Sequence, residues 1–342
     1  MTSSNALPVV ALTLGDPAGI GPELMARLLS LDDVSHRANI VLMGDPWVWR
    51  WGQQVAGVQV ETEPVASLSQ VRLRSNTSRP AFFEMHSVDA GDVVVGQVSA
   101  AGGRSVLQVL NRAMDATNNG DIDAICFAPL NKQAMKMGGL VHEDELHHFA
   151  EYLKVKNYFC EFNTLNGLWT SRVSSHIPLK EAASYLSVER ITAATRLIYQ
   201  SLRDSGVHQP RVAVAAFNPH GGDGGVCGRE EIDIIIPAVE KSKQEGIPVQ
   251  GPFPADTIFL KARDGELDAI VTMYHDQGQI AIKLLGFSKG VTVQGGLPIP
   301  ITTPAHGTAY DIAGQGVANV SATEQAFLIA CRMGLAALKK RK

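Results

Sequence analysis

Short apolar runs recur along this chain, separated by segments with helical periodicity. That alternation restricts the fold more than any single motif does. LPVVALTL, ANIVLMG, AICFAP, LNGLWTS, RVAVAAF, DAIVTMYH and GVTVQGGLP read as strands. GPELMARLLSL, VLQVLNRAMDATNNG, RITAATRLIYQSLRDSG and EEIDIIIPAVEKSKQEG lie between several of them and read as helices. Strands alternating with helices build βα units on a largely parallel sheet, so the expected class is α/β. The chain has 342 residues, 45% of them hydrophobic, which is long for one compact domain and predicts two lobes. The Pro- and Gly-rich junctions near 129–145 and 288–305 are the expected crossings. They divide the chain into 1–130 plus 286–342 and 131–285. The stretch Glu61 to Val95 is β-prone and irregular, and no element is assigned to it.

Charge and cysteine usage narrow the setting. The formal net charge is -4, and Lys and Arg cluster only in the C-terminal KKRK. No nucleic-acid surface is expected, and the tail reads as a solvated helix end. Cys126, Cys160, Cys227 and Cys331 are scattered without CxxC spacing, which fits a reduced cytosol better than a disulfide framework. The N-terminal MTSSNALPVVALTLGD lacks a basic leader and reads as a first strand, and no apolar stretch reaches membrane-spanning length. A soluble, cytoplasmic protein is expected.

Several segments carry chemistry. GDPAGIGPE, residues 15–23, follows a strand and opens a helix. It reads equally as a tight βα turn needing glycine and as an anion site at a helix N-terminus. FNPHGGDGG, residues 217–225, sets His220 among glycines just past a strand. VSSHIPLKEA places His176 before a proline, and VTMYHDQGQIAIKLLGF places His275 at another strand end, followed by Asp276 and Gly278. Three imidazoles from three strand ends suit a divalent transition metal and leave a coordination position open. The spacing is not a zinc signature, and a lone loop histidine is usually only a hydrogen-bonding residue. Asp256, Asp276 and Lys283 supply proton-transfer groups in the same segments. Asp256 reads equally as a helix cap, and Lys283 as a surface residue. In TTPAHGTAYDIAGQGVAN, residues 302–319, Gly307 bares the backbone beside His306. Asp311 there either begins a helix or accepts from ribose hydroxyls.

HGTAYDIAGQGVAN resembles the adenosine-binding loop of isopropylmalate and isocitrate dehydrogenases, HGSAPDIAGxxxAN. Taken in order, GDPAGIGPE, NPHGGDGG, GPFPADT, MYHDQG and GLP…HGTA resemble the 4-hydroxythreonine-4-phosphate dehydrogenase family over nearly the whole chain. The resemblance implies an isocitrate/isopropylmalate dehydrogenase-like fold of two α/β lobes with a cleft between them. Residues 1–130 plus 286–342 would bind NAD, and 131–285 would hold metal and substrate and form a homodimer whose interface carries the site. It implies a divalent metal, zinc first with Mg, Mn, Co or Ni as alternatives, on His176, His220 and His275. It assigns Lys283 to substrate and, with Asp256 and Asp276, to catalysis. Gly296, His306, Gly307, Thr308, Asp311 and Asn319 would bind NAD, Asp311 disfavouring a 2′-phosphate. The implied reaction is oxidation of a hydroxyl β to a carboxylate, with hydride passing to NAD, and then decarboxylation of the β-keto acid.

The pattern also departs from that family. Its Gly-His-Thr-Glu motif is Asp144-Glu145-Leu146-His147 here, so the substrate-touching His-Thr pair becomes Glu145-Leu146. The substrate-holding asparagine and arginine become Thr292 and Ile301. Losing the arginine removes a bidentate anion clamp, and Leu146, Ile299 and Ile301 would make the pocket apolar. These departures favour a non-phosphorylated ring substrate, the cis-dihydrodiol of terephthalate (1,2-dihydroxy-3,5-cyclohexadiene-1,4-dicarboxylate), yielding protocatechuate in aromatic catabolism. The alternative is 4-hydroxythreonine-4-phosphate or a sugar-acid phosphate. A non-catalytic nucleotide- or metal-binding module is the alternative of another class, and retention of the histidines, acids and lysine speaks against it. His142 and His148, beside His147, read as helix-face residues.

Overall fold

The computed structural model describes residues 7–286 and 289–341. Phe287, which ends the His275 motif, and Lys342 of the basic tail lie outside them. The chain forms two compact units, Met1–Val155 with Leu297–Lys342, and Lys156–Gly296.

The first unit contains β1 (Val9–Thr13), α1 (Gly21–Leu29), β2 (Asn39–Gly44), α2 (Pro46–Ala56), β3 (Glu63–Pro64), β4 (Ala81–Glu84), α3 (Ala100–Asn118), β5 (Ala124–Phe127), α4 (Lys132–Met137) and α5 (Glu145–Tyr152). Its strands run in the order β3-β4-β2-β1-β5, joined by β12 (Ile301–Pro304), and all these pairs are parallel. The long α10 (Ser321–Arg341) packs on β12 and β5. Parallel strands are covered on both faces by their crossover helices and so read as continuous apolar runs. VVALT of β1 is buried at every position.

The sequence placed the first crossing near residue 130, whereas contacts keep everything to Val155 in this unit. The reason is packing. Met135, Leu140 and Phe149 join the core cluster of Phe127, Leu110 and Ile125, and the Phe127 and Phe149 rings meet edge-on at 5.9 Å. The Gly-rich junction therefore holds two short docked helices instead of a linker.

The second unit contains β6 (Cys160–Leu165), β7 (Leu168–Arg172), α6 (Val188–Asp204), β8 (Val212–Ala215), α7 (Ile236–Gln244), β9 (Val249–Phe253), α8 (Ala255–Arg263), β10 (Ala269–Thr272), α9 (His275–Leu285) and β11 (Val291–Gly295). The strand order is β11-β6-β7-β10-β8-β9. Strand β6 is antiparallel to both β11 and β7, and the remaining pairs are parallel. LNGLWTS is not one strand. Asn166 and Gly167 both take positive φ, 49° and 90°, and close a hairpin between β6 and β7. The pairing of β11 with β6 keeps residues up to Gly296 in this unit, beyond the expected crossing at 286.

Among the described residues, no helix is long and apolar enough to cross a membrane. Cys126, Cys160 and Cys331 are buried free thiols and Cys227 is an exposed one.

Candidate active site

In the second unit, β7, β10 and β8 are adjacent and parallel, so their carboxyl ends lie side by side. Each end leads to one of the three histidines. His176 follows β7, His275 is the first residue of α9 after β10, and His220 follows β8. The His176 and His275 rings meet with centroids 5.9 Å apart. Two imidazoles sharing a tetrahedral ion, with metal–nitrogen bonds of about 2.0–2.1 Å, would set their ring centres roughly 5 Å apart. The observed separation is about 1 Å longer than that, so the pair lies close to the spacing such an ion imposes. His275 Nδ1 lies 2.7 Å from Asp276 Oδ1, so Nε2 is the ring nitrogen that Asp276 does not engage. His220 is exposed, with φ at 56°. Gln277 ties the elements together: its Nε2 donates to Ala216 O at 2.8 Å beyond β8, and its Oε1 accepts from Met273 N at 2.7 Å.

Beneath this edge lies a buried polar network that the sequence did not reveal. Arg172, with a 5% exposed side chain, donates to Ser175 Oγ (2.8 Å), Asn163 Oδ1 (2.6 Å) and Glu161 Oε2 (2.8 Å). Asn163 Oδ1 also accepts from Gln279 of α9, and Asn163 Nδ2 donates to Thr292 Oγ1 at 3.2 Å. Ser175 precedes His176, and Gln279 lies one turn beyond His275. A single amide thus links the segments carrying both rings. The available signal was a lone arginine inside the apolar run before His176.

Lys283 is exposed in the last turn of α9, and Asp276 is exposed beside His275. Asp256 is exposed in the first turn of α8, but Pro254 occupies the cap position and no side chain caps the helix. The capping expectation fails because the helix starts earlier than DTIFLKA suggested. Thr292 is largely buried against Asn163. Gly296 has φ 87°, and a Cβ there would lie 2.6 Å from Tyr158 O, so close packing alone demands glycine.

In the first unit, Glu145 and Leu146 open α5, whose cap is Asp144. Asp144 Oδ1 accepts from His147 N at 3.0 Å and pairs with its Nδ1 at 2.7 Å. Burial opposes the Asp144 charge, but the His147 hydrogen bonds and the His147 and Lys132 charges hold its pKa below the usual value. Leu146 is buried, and Ile301 and Ile299 sit in the apolar core. Strand β12 pairs with β5 and is covered by α10, so Ile301 packs in the core and is not the pocket wall expected from the sequence.

The two glycine-bearing loops of this unit are bolted together. Asp16 accepts from Ala18 N at 2.9 Å and from the Tyr310 hydroxyl at 2.7 Å. Ile20 N donates to Thr308 O at 3.0 Å, and Ala318 N donates to Glu23 Oε1 at 2.9 Å. A Cβ on Gly19 would come 2.9 Å from Thr308 Cβ, and one on Gly21 would collide with Leu14 O. Close packing therefore explains Gly19 and Gly21, whereas Gly15, at φ 70°, is the glycine that the turn itself uses. Burial raises the Asp16 pKa against the opposing Tyr310 and Ala18 hydrogen bonds; burial and Asp16 together raise that of Tyr310. Within the second loop, Gly307, Asp311 and Asn319 are exposed, His306 is half-buried and Thr308 is buried. Asp311 lies in a 3-10 turn, Tyr310–Ile312, entered through Ala309 at φ 42°.

The fold and these motifs together define an α/β dehydrogenase. The family model described as pyridoxal phosphate biosynthetic protein PdxA matches residues 36–330, and the chain belongs to that family. It is a dehydrogenase acting on a CH–OH group. A Pseudomonas aeruginosa protein provisionally named 4-hydroxythreonine-4-phosphate dehydrogenase 2 is 54% identical over 96% of this chain and 98% of its own. A Cupriavidus necator protein named D-threonate 4-phosphate dehydrogenase is 33% identical over 97% of both chains. The crystal structure of 4-hydroxythreonine-4-phosphate dehydrogenase from Klebsiella pneumoniae superposes with a TM-score of 0.82 at 31% identity, covering 97% of this chain and 99% of that one. A terephthalate 1,2-cis-dihydrodiol dehydrogenase from Burkholderia xenovorans gives 0.67 at 27%, covering 93% and 98%. The expectation of a terephthalate dihydrodiol substrate is therefore corrected: the more similar relatives are named for phosphorylated substrates. One premise of that expectation also fails, since Ile299 and Ile301 are core residues and do not line a pocket.

Proposed function

We propose that the protein is an NAD- and divalent-metal-dependent dehydrogenase that oxidises a phosphorylated β-hydroxy acid, whose β-keto product then loses carbon dioxide. The names of the relatives support the phosphorylated substrate: 4-hydroxythreonine-4-phosphate or a sugar-acid phosphate such as D-threonate 4-phosphate. The observation that carries the chemistry is the His176–His275 pair at adjoining strand ends. His176, His275 and His220 would hold the ion, zinc being the first choice for three imidazoles. When bound, the cation supplies Lewis acidity at the substrate hydroxyl, and NAD takes the hydride. Asp276 orients His275 through Nδ1. Lys283, two turns along α9 from His275, offers its ammonium to an anionic substrate group. His306, Gly307, Thr308, Asp311 and Asn319 present main chain and a carboxylate to the dinucleotide. We also propose a homodimer, supported by large apolar side chains exposed on the second unit: Leu179, Val226, Ile280 and Leu284.

The test is a substrate screen with NAD and a divalent metal, read by NADH absorbance and carbon dioxide release. Chelator-sensitive NADH formation is expected with 4-hydroxythreonine-4-phosphate or D-threonate 4-phosphate and not with the terephthalate dihydrodiol. His220→Ala should lower turnover by more than about 100-fold, the upper end of what loss of an outer partner of a metal ligand costs. Full activity in that variant would remove His220 from the site, and NADH from the dihydrodiol alone would overturn the substrate reading.

A further inference from the structure

His220 rides on a backbone that needs outside support. From His220 to Gly225, six consecutive residues take positive φ: 56°, 67°, 79°, 43°, 64° and 99°. Two of these, His220 and Asp223, are not glycine; histidine and aspartate enter this region more readily than most side chains, but so long a run of it is held by its surroundings. The support lies beneath the loop. The side chain of Glu231 is buried at 1% exposure. It begins a single π-helical turn, Glu231–Ile235, ahead of α7. Turns of this kind frequently mark functional sites. Glu231 Oε1 accepts from Phe217 N and Asn218 N, both at 2.7 Å, and Oε2 accepts from Asn218 Nδ2 at 2.9 Å. Asn218 Nδ2 also donates to Glu230 Oε2 at 2.6 Å.

The glycines of the loop make room for this arrangement. A Cβ on Gly222 would lie 2.7 Å from Glu231 Oε2, and one on Gly228 would collide with Asn218 Nδ2. Cys227 N returns to Gly222 O at 3.0 Å and closes the loop. Burial works against the Glu231 charge, but the Asn218 and Phe217 hydrogen bonds outweigh it and hold the pKa below the usual value. The carboxylate is thus a fixed, ionised anchor for the residues immediately preceding Pro219 and His220. On the other side, Gln277 holds Ala216 O to the start of α9, where His275 lies. The chain entering the His220 loop is pinned from both directions.

We propose that Glu231 is a positioning residue for metal binding: by fixing Phe217 and Asn218 it aims His220 at the ion shared with His176 and His275. This rests on the metal site proposed above. It differs from a general stabilising role, because a positioning effect must pass through the His220 imidazole.

A double-mutant cycle separates the two. Zinc affinity is measured on metal-free full-length protein by competition with a chromophoric chelator, for wild type, Glu231→Gln, His220→Ala and the double variant. Glutamine keeps the size of glutamate but turns a nitrogen donor toward Asn218 Nδ2. Glu231→Gln should weaken zinc binding about 10- to 100-fold, the range for outer partners of metal ligands. In the His220→Ala background it should cause no further loss. Unchanged affinity in Glu231→Gln overturns the proposal, and so does an equal loss in both backgrounds. Wild-type zinc affinity in His220→Ala would instead overturn the three-histidine site itself, whatever Glu231 does. If Glu231→Gln does not fold, Asn218→Ala serves: it removes one of the three hydrogen bonds, should give a smaller loss that also vanishes without His220, and overturns the proposal if affinity holds.

Discussion

At the scale of single residues, Glu231 makes a pH prediction whose sign follows from its environment. Its folded pKa lies below the ordinary 4.5. The stability it contributes is therefore fully present above that value and is lost as pH falls through the lower folded value. In chelator-treated protein, Glu231→Gln should be less stable than wild type by roughly 1–3 kcal/mol at pH 7. The gap should narrow below about pH 4.5, read by denaturant unfolding across that range. A gap independent of pH would mean the carboxylate charge is not what the loop amides need. Glu231 also shows where sequence reading stops. His176, His220 and His275 stand out because each is a polar residue just beyond an apolar strand. Glu231 lies in EEIDIII, where an acid on a helix reads as solvated surface. Nothing local says that its carboxylate turns back under a loop more than ten residues earlier. Asp16 and Tyr310 are hidden the same way, since their hydrogen bond joins opposite ends of the chain.

Among the elements, those set by apolar runs were legible. Strands β1, β2, β5, β8, β10 and β11 fall inside the expected runs, because strands covered on both faces have no polar side to confuse the pattern. The β6–β7 hairpin was not, because β6 alternates: Cys160, Phe162 and Thr164 are buried, while Glu161 and Asn163 are half-buried. The half-buried positions face Arg172. Arg172→Met leaves the Glu161 carboxylate and the Asn163 amide oxygen without their cationic donor. Breaking a buried ion pair from one side costs about 3–5 kcal/mol. Part of the Glu161 side chain, 17%, remains exposed, so about 3 kcal/mol is expected. The companion Arg172→Met/Glu161→Leu should recover most of that loss, because no charge is left unpaired. Chemical denaturation of the three proteins checks it. If the double variant is the less stable, the network stabilises by attraction and not merely by mutual compensation.

For the whole molecule, the α/β class and the presence of two units were legible from the alternation of runs, but the borders were not. Proline and glycine marked both junctions, yet what decides membership is burial: Phe149 belongs with Phe127, and β11 with β6. Leu284 is 83% exposed and Ile280 59% on α9; Val226, also 83% exposed, follows the glycines of the His220 loop. A single exposed apolar residue is ordinary, but Ile280 and Leu284 lie one turn apart on α9 and form the kind of patch that the proposed homodimer would cover. Leu284→Asp changes an exposed position, so the folded protomer should lose no more than about 0.5 kcal/mol. In the proposed homodimer the aspartate would be desolvated without a partner, a burden carried once by each protomer. Light scattering behind size exclusion should therefore show wild type at twice the protomer mass and Leu284→Asp shifted toward one. Circular dichroism of the two should coincide. A wild-type protein that runs as a monomer at micromolar concentration would sink the homodimer. A variant that stays dimeric would move the contact surface away from α9.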